Sequence, residues 1–135
     1  MAQEFFRQLL PGNQIFSRGL YADPAYVVPQ KVIQALEKHH ISFSGHTPAP
    51  LTKADLENAN LILCMEKNHE EYLLDHFAQY TNKIWLLTEF AYDKREEIED
   101  PIGLEGRGFE KAAEKLFQAC QQAATRIKQD FSSKN

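Results

Sequence analysis

The sequence predicts an α/β domain in which a small parallel sheet is covered by helices on both faces. Three observations lead there. The first is Leu61-Ile62-Leu63-Cys64-Met65, apolar at every position. A strand with one wet face alternates apolar and polar residues, so an unbroken run implies cover on both faces, as for an interior strand of a parallel sheet. The second is another apolar run, Ile84 to Leu87. The third is the stretch between them, where Asn68 stands as an N-cap with Glu71 three residues on as its box partner, opening a helix that reaches about Gln79. Strand, helix, strand makes a βαβ unit, whose crossover is right-handed in nearly every case. Sites in such sheets gather beyond the carboxyl ends of the strands, here Glu66 to His69 and Thr88 to Tyr92.

The other elements follow in chain order. Ala2 to Leu10 pairs Phe5 with Leu9 and Phe6 with Leu10 at i, i+4, a short amphipathic helix closed by Pro11-Gly12. Gln14 to Leu20 mixes Ile15, Phe16 and Leu20 with polar residues and reads as a strand ending near Gly19. Tyr21 to Val28 is a loop; beyond Pro29, the residues Val32, Ile33 and Leu36 mark one face of a helix reaching about His40. Ser44-Gly45-His46-Thr47-Pro48 is turn chemistry, and Thr52 with Asp55 forms a capping box for a helix over 53–59. Tyr92 to Gly108 is charged, holds Pro101 and three glycines, and reads as a long loop of the kind that serves function. From Phe109 to Phe131 the apolar positions Ala112, Ala113, Leu116, Phe117, Ala123, Ala124 and Ile127 keep helical spacing. The expected organisation is one domain over 1–131 and a frayed tail over 132–135.

Composition narrows the function classes. At 135 residues the chain is long enough to bury about two thirds of its unfolded surface without metal or disulfide. A net charge of −4 argues against a nucleic-acid partner or an anionic membrane surface. No apolar run approaches the ~20 residues of a membrane span, and no signal-peptide pattern is present, so a cytoplasmic setting is expected. Cys64 and Cys120 match neither CxxC nor a zinc spacing, and His39, His40, His69 and His76 are dispersed. Neither a metal nor another cofactor is expected.

Several segments together resemble the low-molecular-weight protein tyrosine phosphatases and their arsenate-reductase relatives. They are Met1-Ala2-Gln3-Glu4 opening a helix, Ser17-Arg18-Gly19-Leu20, Ser44-Gly45-His46, Leu61 to Met65, Trp85-Leu86-Leu87-Thr88-Glu89-Phe90 and Glu99-Asp100-Pro101-Ile102-Gly103. The resemblance spans Met1 to about Ile127, and order and spacing make it specific where no single motif does. It implies a three-layer α/β sandwich and hydrolysis of a phosphotyrosine protein or small phosphomonoester. In that mechanism a cysteine thiolate attacks phosphorus while loop amides and an arginine hold the phosphate oxygens.

The departure from the family lies at the front. Members open with a strand that runs into Cys-x5-Arg and then Ser/Thr-Pro, and the residues after that proline resemble Met1-Ala2. The expectation is therefore a fold whose first strand and catalytic loop are missing from this sequence. A reactive thiolate needs neighbouring positive potential and free amides. Cys120 to Arg126 has the Cys-x5-Arg spacing, but it lacks glycine, lies in a helical pattern and is followed by Ile127. Helical amides are already bonded to carbonyls and cannot cradle phosphate. Cys64 reads as a buried strand residue, with Glu70 where an arginine would be needed.

By the same resemblance, Asp100 is the general acid that protonates the leaving oxygen, and Pro101 stiffens its loop. Tyr21 is the candidate aromatic wall of the substrate cleft, since Ile102 replaces the aromatic residue usual after Asp-Pro. His46 supports the phosphate loop in the family rather than reacting. Two readings of function stand. One is a phosphatase-family enzyme whose nucleophile lies outside this sequence, inactive as given. The other is a complete non-catalytic binding module. In the resembling fold the absent strand lies between Gln14 to Leu20 and Leu61 to Met65. One of three outcomes is then expected: closure of those strands on each other, strand exchange in a homodimer, or a loose monomer.

Overall fold

The computed structural model describes residues 1–132 apart from Tyr21, Ala22, Pro24, Ser44, His46 and Thr47. Two short parallel strands, β1 (Ile62–Cys64) and β2 (Ile84–Leu86), pair in the register Ile62 to Ile84, Leu63 to Trp85 and Cys64 to Leu86. Between them run α4 (Lys67–His76) and a 3-10 turn over Ala78–Lys83, completing the expected βαβ unit. Strand alternation sends Leu61, Leu63, Met65 and Trp85 toward one apolar cluster, and Ile62, Cys64, Ile84 and Leu86 toward another.

The larger cluster is helical. It draws Phe5, Phe6 and Leu10 from α1 (Ala2–Leu9) and its cap, and Val32 and Leu36 from α2 (Gln30–Lys38). Leu87, Phe90 and Ala91 come from α5 (Leu87–Tyr92), and Phe109, Ala113, Leu116, Cys120 and Ala124 from α6 (Gly106–Ser132). The α6 positions recur every three or four residues, the spacing that puts them on one face. The second cluster takes Leu56 from α3 (Lys53–Asn58) and Leu73 from α4. The protein is thus an α/β fold with helices on both sides of a small parallel sheet. At α3 the capping box is formed as expected: Asp55 N–H donates to Thr52 Oγ1 at 3.2 Å, and Thr52 N–H to Asp55 Oδ2 at 3.0 Å.

Several expectations are corrected. Gln14 to Leu20 is not a strand: Gly19 makes an isolated parallel bridge to Pro50, and Ser17 N–H is taken by Gln3 Oε1 at 2.9 Å. Closure of that segment on β1 therefore does not occur; β2 is the strand that pairs with β1 among the described residues. β1 is also less covered than an interior strand, with Leu61, Ile62, Leu63 and Met65 only half-buried. The cap of α4 is Glu66 rather than Asn68, whose Oδ1 instead accepts from His69 N–H at 2.9 Å, and the helix ends at His76 rather than Gln79. Leu87–Tyr92, expected to begin as strand and end as loop, is helix α5, which closes on Asp93 in the left-handed conformation at φ 60. α6 starts three residues early, at Gly106. The expected tail falls largely outside the described residues, which end at Ser132.

Candidate active site

The acidic segment after α5 is exposed over most of its length, yet it is tied down at each stage. Arg95 donates to the buried Glu70 of α4, Nη2 to Oε1 at 2.6 Å and Nη1 to Oε2 at 3.3 Å, and also to Glu89 of α5. Thr88 Oγ1, itself buried, donates to the Glu96 carbonyl and accepts from Glu96 N–H at 3.2 Å. Glu97 Oε1 accepts from Lys67 N–H at 2.9 Å, adding an acceptor at the start of α4 where unpaired amides need one. Ile98 N–H reaches the Met65 carbonyl at 3.4 Å, and its side chain is buried in the larger cluster.

Those bonds hold the segment leading to Asp100 against the residues that follow β1. Pro101 is buried and opens a 3-10 turn over Pro101–Gly103, where Leu104 N–H returns to the Pro101 carbonyl at 3.0 Å. From α2, Lys31 Nζ then donates to the Leu104 carbonyl at 2.6 Å and to Glu105 at 2.9 Å. Asp100 itself is exposed. Its charge is felt at Tyr26, whose phenol is pushed up by burial first and by Asp100 second. It is felt also at the Met1 amino group, which burial pushes down while Glu4, Asp100 and Cys120 oppose that. Met1, Gln3, Glu4, Ser17, Tyr26 and Val28 line part of a cavity of about 150 Å³ that continues to Val32, Leu36, Phe43 and Pro48.

Of the residues expected at a site, Asp100 and Pro101 directly follow the segment tied to Met65 and Lys67. Tyr21 and His46 lie outside the described residues. Tyr26, in the same loop as Tyr21, is the aromatic side chain that shares a field with Asp100, and no pattern in the sequence distinguished the two. Arg95, Glu70 and Lys31 were not anticipated either, because their partners are distant in sequence.

Both cysteines are buried. Cys64 is 6 % exposed; burial pushes its thiol up to about 12, with the Glu70 carboxylate acting in the same direction. Cys120 is fully buried in α6, and burial pushes it up to about 12 against a weaker pull from the chain's amino group. Arg126, the other end of the Cys-x5-Arg spacing, donates to the Phe90 carbonyl at 3.0 Å and stacks 4.3 Å from the Phe90 ring centroid. Among the described residues no group of three His, Cys, Asp or Glu is placed to hold a metal ion.

The family model for low molecular weight phosphotyrosine protein phosphatase matches residues 1–133. The chain belongs to that family. It is similar to the protein-arginine-phosphatase of Bacillus subtilis, at 25% identity over 96% of this chain and 89% of the relative. It is also similar to the low molecular weight protein-tyrosine-phosphatase PtpB of Staphylococcus aureus, 31% identical over 76% of this chain and 71% of that protein. The crystal structure of a YwlE mutant from Bacillus subtilis superposes with a TM-score of 0.82 at 25% identity, covering 94% of this chain and 88% of the other. YwlE arginine phosphatase from Geobacillus stearothermophilus has the same fold, with a TM-score of 0.87 at 20% identity over 99% and 87% of the two chains. No helix among the described residues is long and apolar enough to cross a membrane.

Proposed function

We propose that this sequence supplies the scaffold and the general acid, Asp100, of a phosphomonoester hydrolase acting on phosphorylated protein side chains, and that the attacking thiolate is not one of its residues. The observation that carries the acid role is the tethering of the Asp100 loop to the carboxyl end of β1 through Ile98 to Met65 and Glu97 to Lys67. A carboxyl group held beside a substrate site can protonate a leaving oxygen as its bond to phosphorus breaks. Pro101, buried behind it, limits the backbone freedom of the loop.

The thiol environments support the second half of the reading. A cysteine attacks phosphorus as thiolate, and two thiols raised to about 12 remain protonated at neutral pH. Phosphotyrosine proteins and small aryl phosphates are the substrate class. The acidic run Glu96, Glu97, Glu99 and Asp100 also suits a substrate with positive charge beside the phosphoryl group, such as the phosphoarginine implied by the name of the Bacillus relative. Two unpaired cysteines accord with a reducing, cytoplasmic setting.

The test is an assay of the purified 135-residue chain on an aryl phosphate. The expected rate is background. Thiol-dependent turnover that disappears in Cys64→Ser or Cys120→Ser would overturn the reading.

A further inference from the structure

Lys31 stands in the first turn of α2, where the partial positive charge of a helix amino end disfavours a cation. Its place is explained by what it reaches outside the helix. Nζ donates to the Leu104 carbonyl at 2.6 Å and to Glu105 Oε1 at 2.9 Å, 73 and 74 residues away, and stands 5.3 Å from the Phe109 ring centroid. An ammonium has three protons to donate, and here it spends two of them on consecutive residues at the entry to α6. The other end of the same segment is held by Ile98 N–H on the Met65 carbonyl at 3.4 Å. Asp100 therefore lies in a bridge over 99–103 that is fixed at both ends, with Pro101 restricting the backbone inside it and Leu104 N–H closing the turn on the Pro101 carbonyl. Just ahead of α2, a second turn holds Tyr26: its N–H donates to the Asp23 carbonyl at 3.0 Å, and Ala25 N–H to Asp23 Oδ1 at 2.9 Å.

We propose that Lys31 is a positioning residue for Asp100: by holding the Leu104 carbonyl and Glu105 from the first turn of α2, it sets Asp100 at a fixed place relative to the Tyr26 ring, which the chain delivers immediately ahead of that helix. The charges of the two loops meet at one group. The Tyr26 phenol is pushed up by burial first and by Asp100 second, while Lys31 pulls it down. A carboxylate and an ammonium from different elements thus act on one phenol, which puts the three groups in one neighbourhood. Arg95 and Glu97 fix the start of the acidic segment on α4 and α5, and neither touches its exit. Among the described residues, the side-chain hydrogen bonds from α2 to 99–105 are the two made by Lys31, so removing the ammonium unties the loop from the helix. The catalytic meaning of this arrangement rests on the reading of Asp100 as the general acid, since a proton donor works only within hydrogen-bond reach of the leaving atom. The positioning itself does not rest on that reading.

The test is a double-variant cycle in the 135-residue chain with difluorotyrosine in place of Tyr26. Fluorine on both sides of the hydroxyl brings the phenol's ionisation near neutral pH, below the range in which the two buried thiols titrate. The fluorine signal is followed against pH in the parent, Asp100→Asn, Lys31→Met and the combined variant. Methionine keeps an unbranched stem against Phe109 while removing the ammonium. Asp100→Asn should lower the phenol's midpoint in the parent and lower it much less once Lys31 is gone, because the cycle cancels the direct effect of the Lys31 charge and leaves its hold on Asp100. Amide exchange at Leu104 should quicken at least about tenfold in Lys31→Met, with the amide of Leu36 in α2 unchanged. An equal Asp100→Asn shift with and without Lys31 would overturn the proposal and make the lysine an independent charge. No shift in the parent would overturn it too, since Asp100 would then stand clear of Tyr26. Exchange that quickens alike at Leu104 and Leu36 would reduce Lys31 to a general stabiliser and sink the proposal as well. No step of the cycle uses catalysis, so a finding that Asp100 is not the general acid would leave its result standing, and the two readings fail separately.

Discussion

Arg95 places two guanidinium nitrogens on Glu70, 25 residues earlier in the chain, at 2.6 and 3.3 Å, although Glu70 is only 4 % exposed. A carboxylate in that position is costly without a partner, because burial strips its hydration. The pair therefore does two things: it neutralises Glu70 inside the α4 packing, and it fixes where the acidic segment begins its path toward Asp100. Arg95→Ala leaves the carboxylate buried and alone, and should lower the thermal midpoint by roughly 5 °C. Adding Glu70→Gln to that variant removes the stranded charge and should recover part of the loss. Calorimetry on the two variants checks the sign; a further drop on the second substitution would show that Glu70 is stabilised by some other group.

The two thiols give the protein an alkaline weakness. Each is raised from an ordinary value of 9.0 to about 12 in the folded state. Between those values the unfolded chain has lost protons that the folded chain retains, so the unfolded state binds fewer and stability falls as pH rises. Below about 9 their contribution is fully present. The fall is on the order of 1 kcal/mol per pH unit for each thiol. Urea midpoints at pH 8 and 10.5 should differ more for the parent chain than for a Cys64→Ala, Cys120→Ala double variant; equal differences would contradict the burial-driven shifts.

Thr52→Ala should destabilise the protein by about 1 kcal/mol. It removes the acceptor of Asp55 N–H and leaves the return bond from Thr52 N–H to Asp55 unmatched at the start of a six-residue helix. Urea denaturation measures it. Thr52→Ser keeps the hydroxyl and should recover most of the loss.

The proposed acid role of Asp100 is testable by the nature of the leaving group. In a chain carrying an amino-terminal strand and Cys-x5-Arg-Ser-Pro loop ahead of Met1, Asp100→Asn should slow cleavage of an ester with a poor leaving group by about 10²- to 10⁴-fold. A phenol that leaves easily needs no proton in the transition state, so its ester should be affected far less. Equal losses on the two would reduce Asp100 to a shaping role.

Hydrophobic pattern and local hydrogen-bonding chemistry made much of this protein legible in advance. The run Leu61 to Met65 marked β1, the spacing of Ala113, Leu116 and Ala124 marked the buried face of α6, and Thr52 with Asp55 marked the start of α3. Each of these signals is complete within a few residues. The helical setting of Cys120 and Arg126 was legible for the same reason.

What failed in the sequence reading depended on neighbours. Ile15, Phe16 and Leu20 have strand composition, but a strand exists only where another pairs with it, and Gln3 takes the Ser17 amide instead. Leu87 to Tyr92 is too short and too apolar for period to decide between strand and helix; packing against α6 accompanies its helical form. Asn68 had the right chemistry for a cap, yet its carbonyl oxygen bonds the adjacent His69 amide, one position inside the helix. The amino-acid sequence by itself determined the βαβ unit, the closing helix and the family, because these rest on local pattern. The course of the Asp100 loop, the pairing of Arg95 with Glu70 and the half-covered edge of β1 were decided by the tertiary structure alone, since hydrogen bonds and burial between residues 25 or more positions apart leave no periodic trace in the chain.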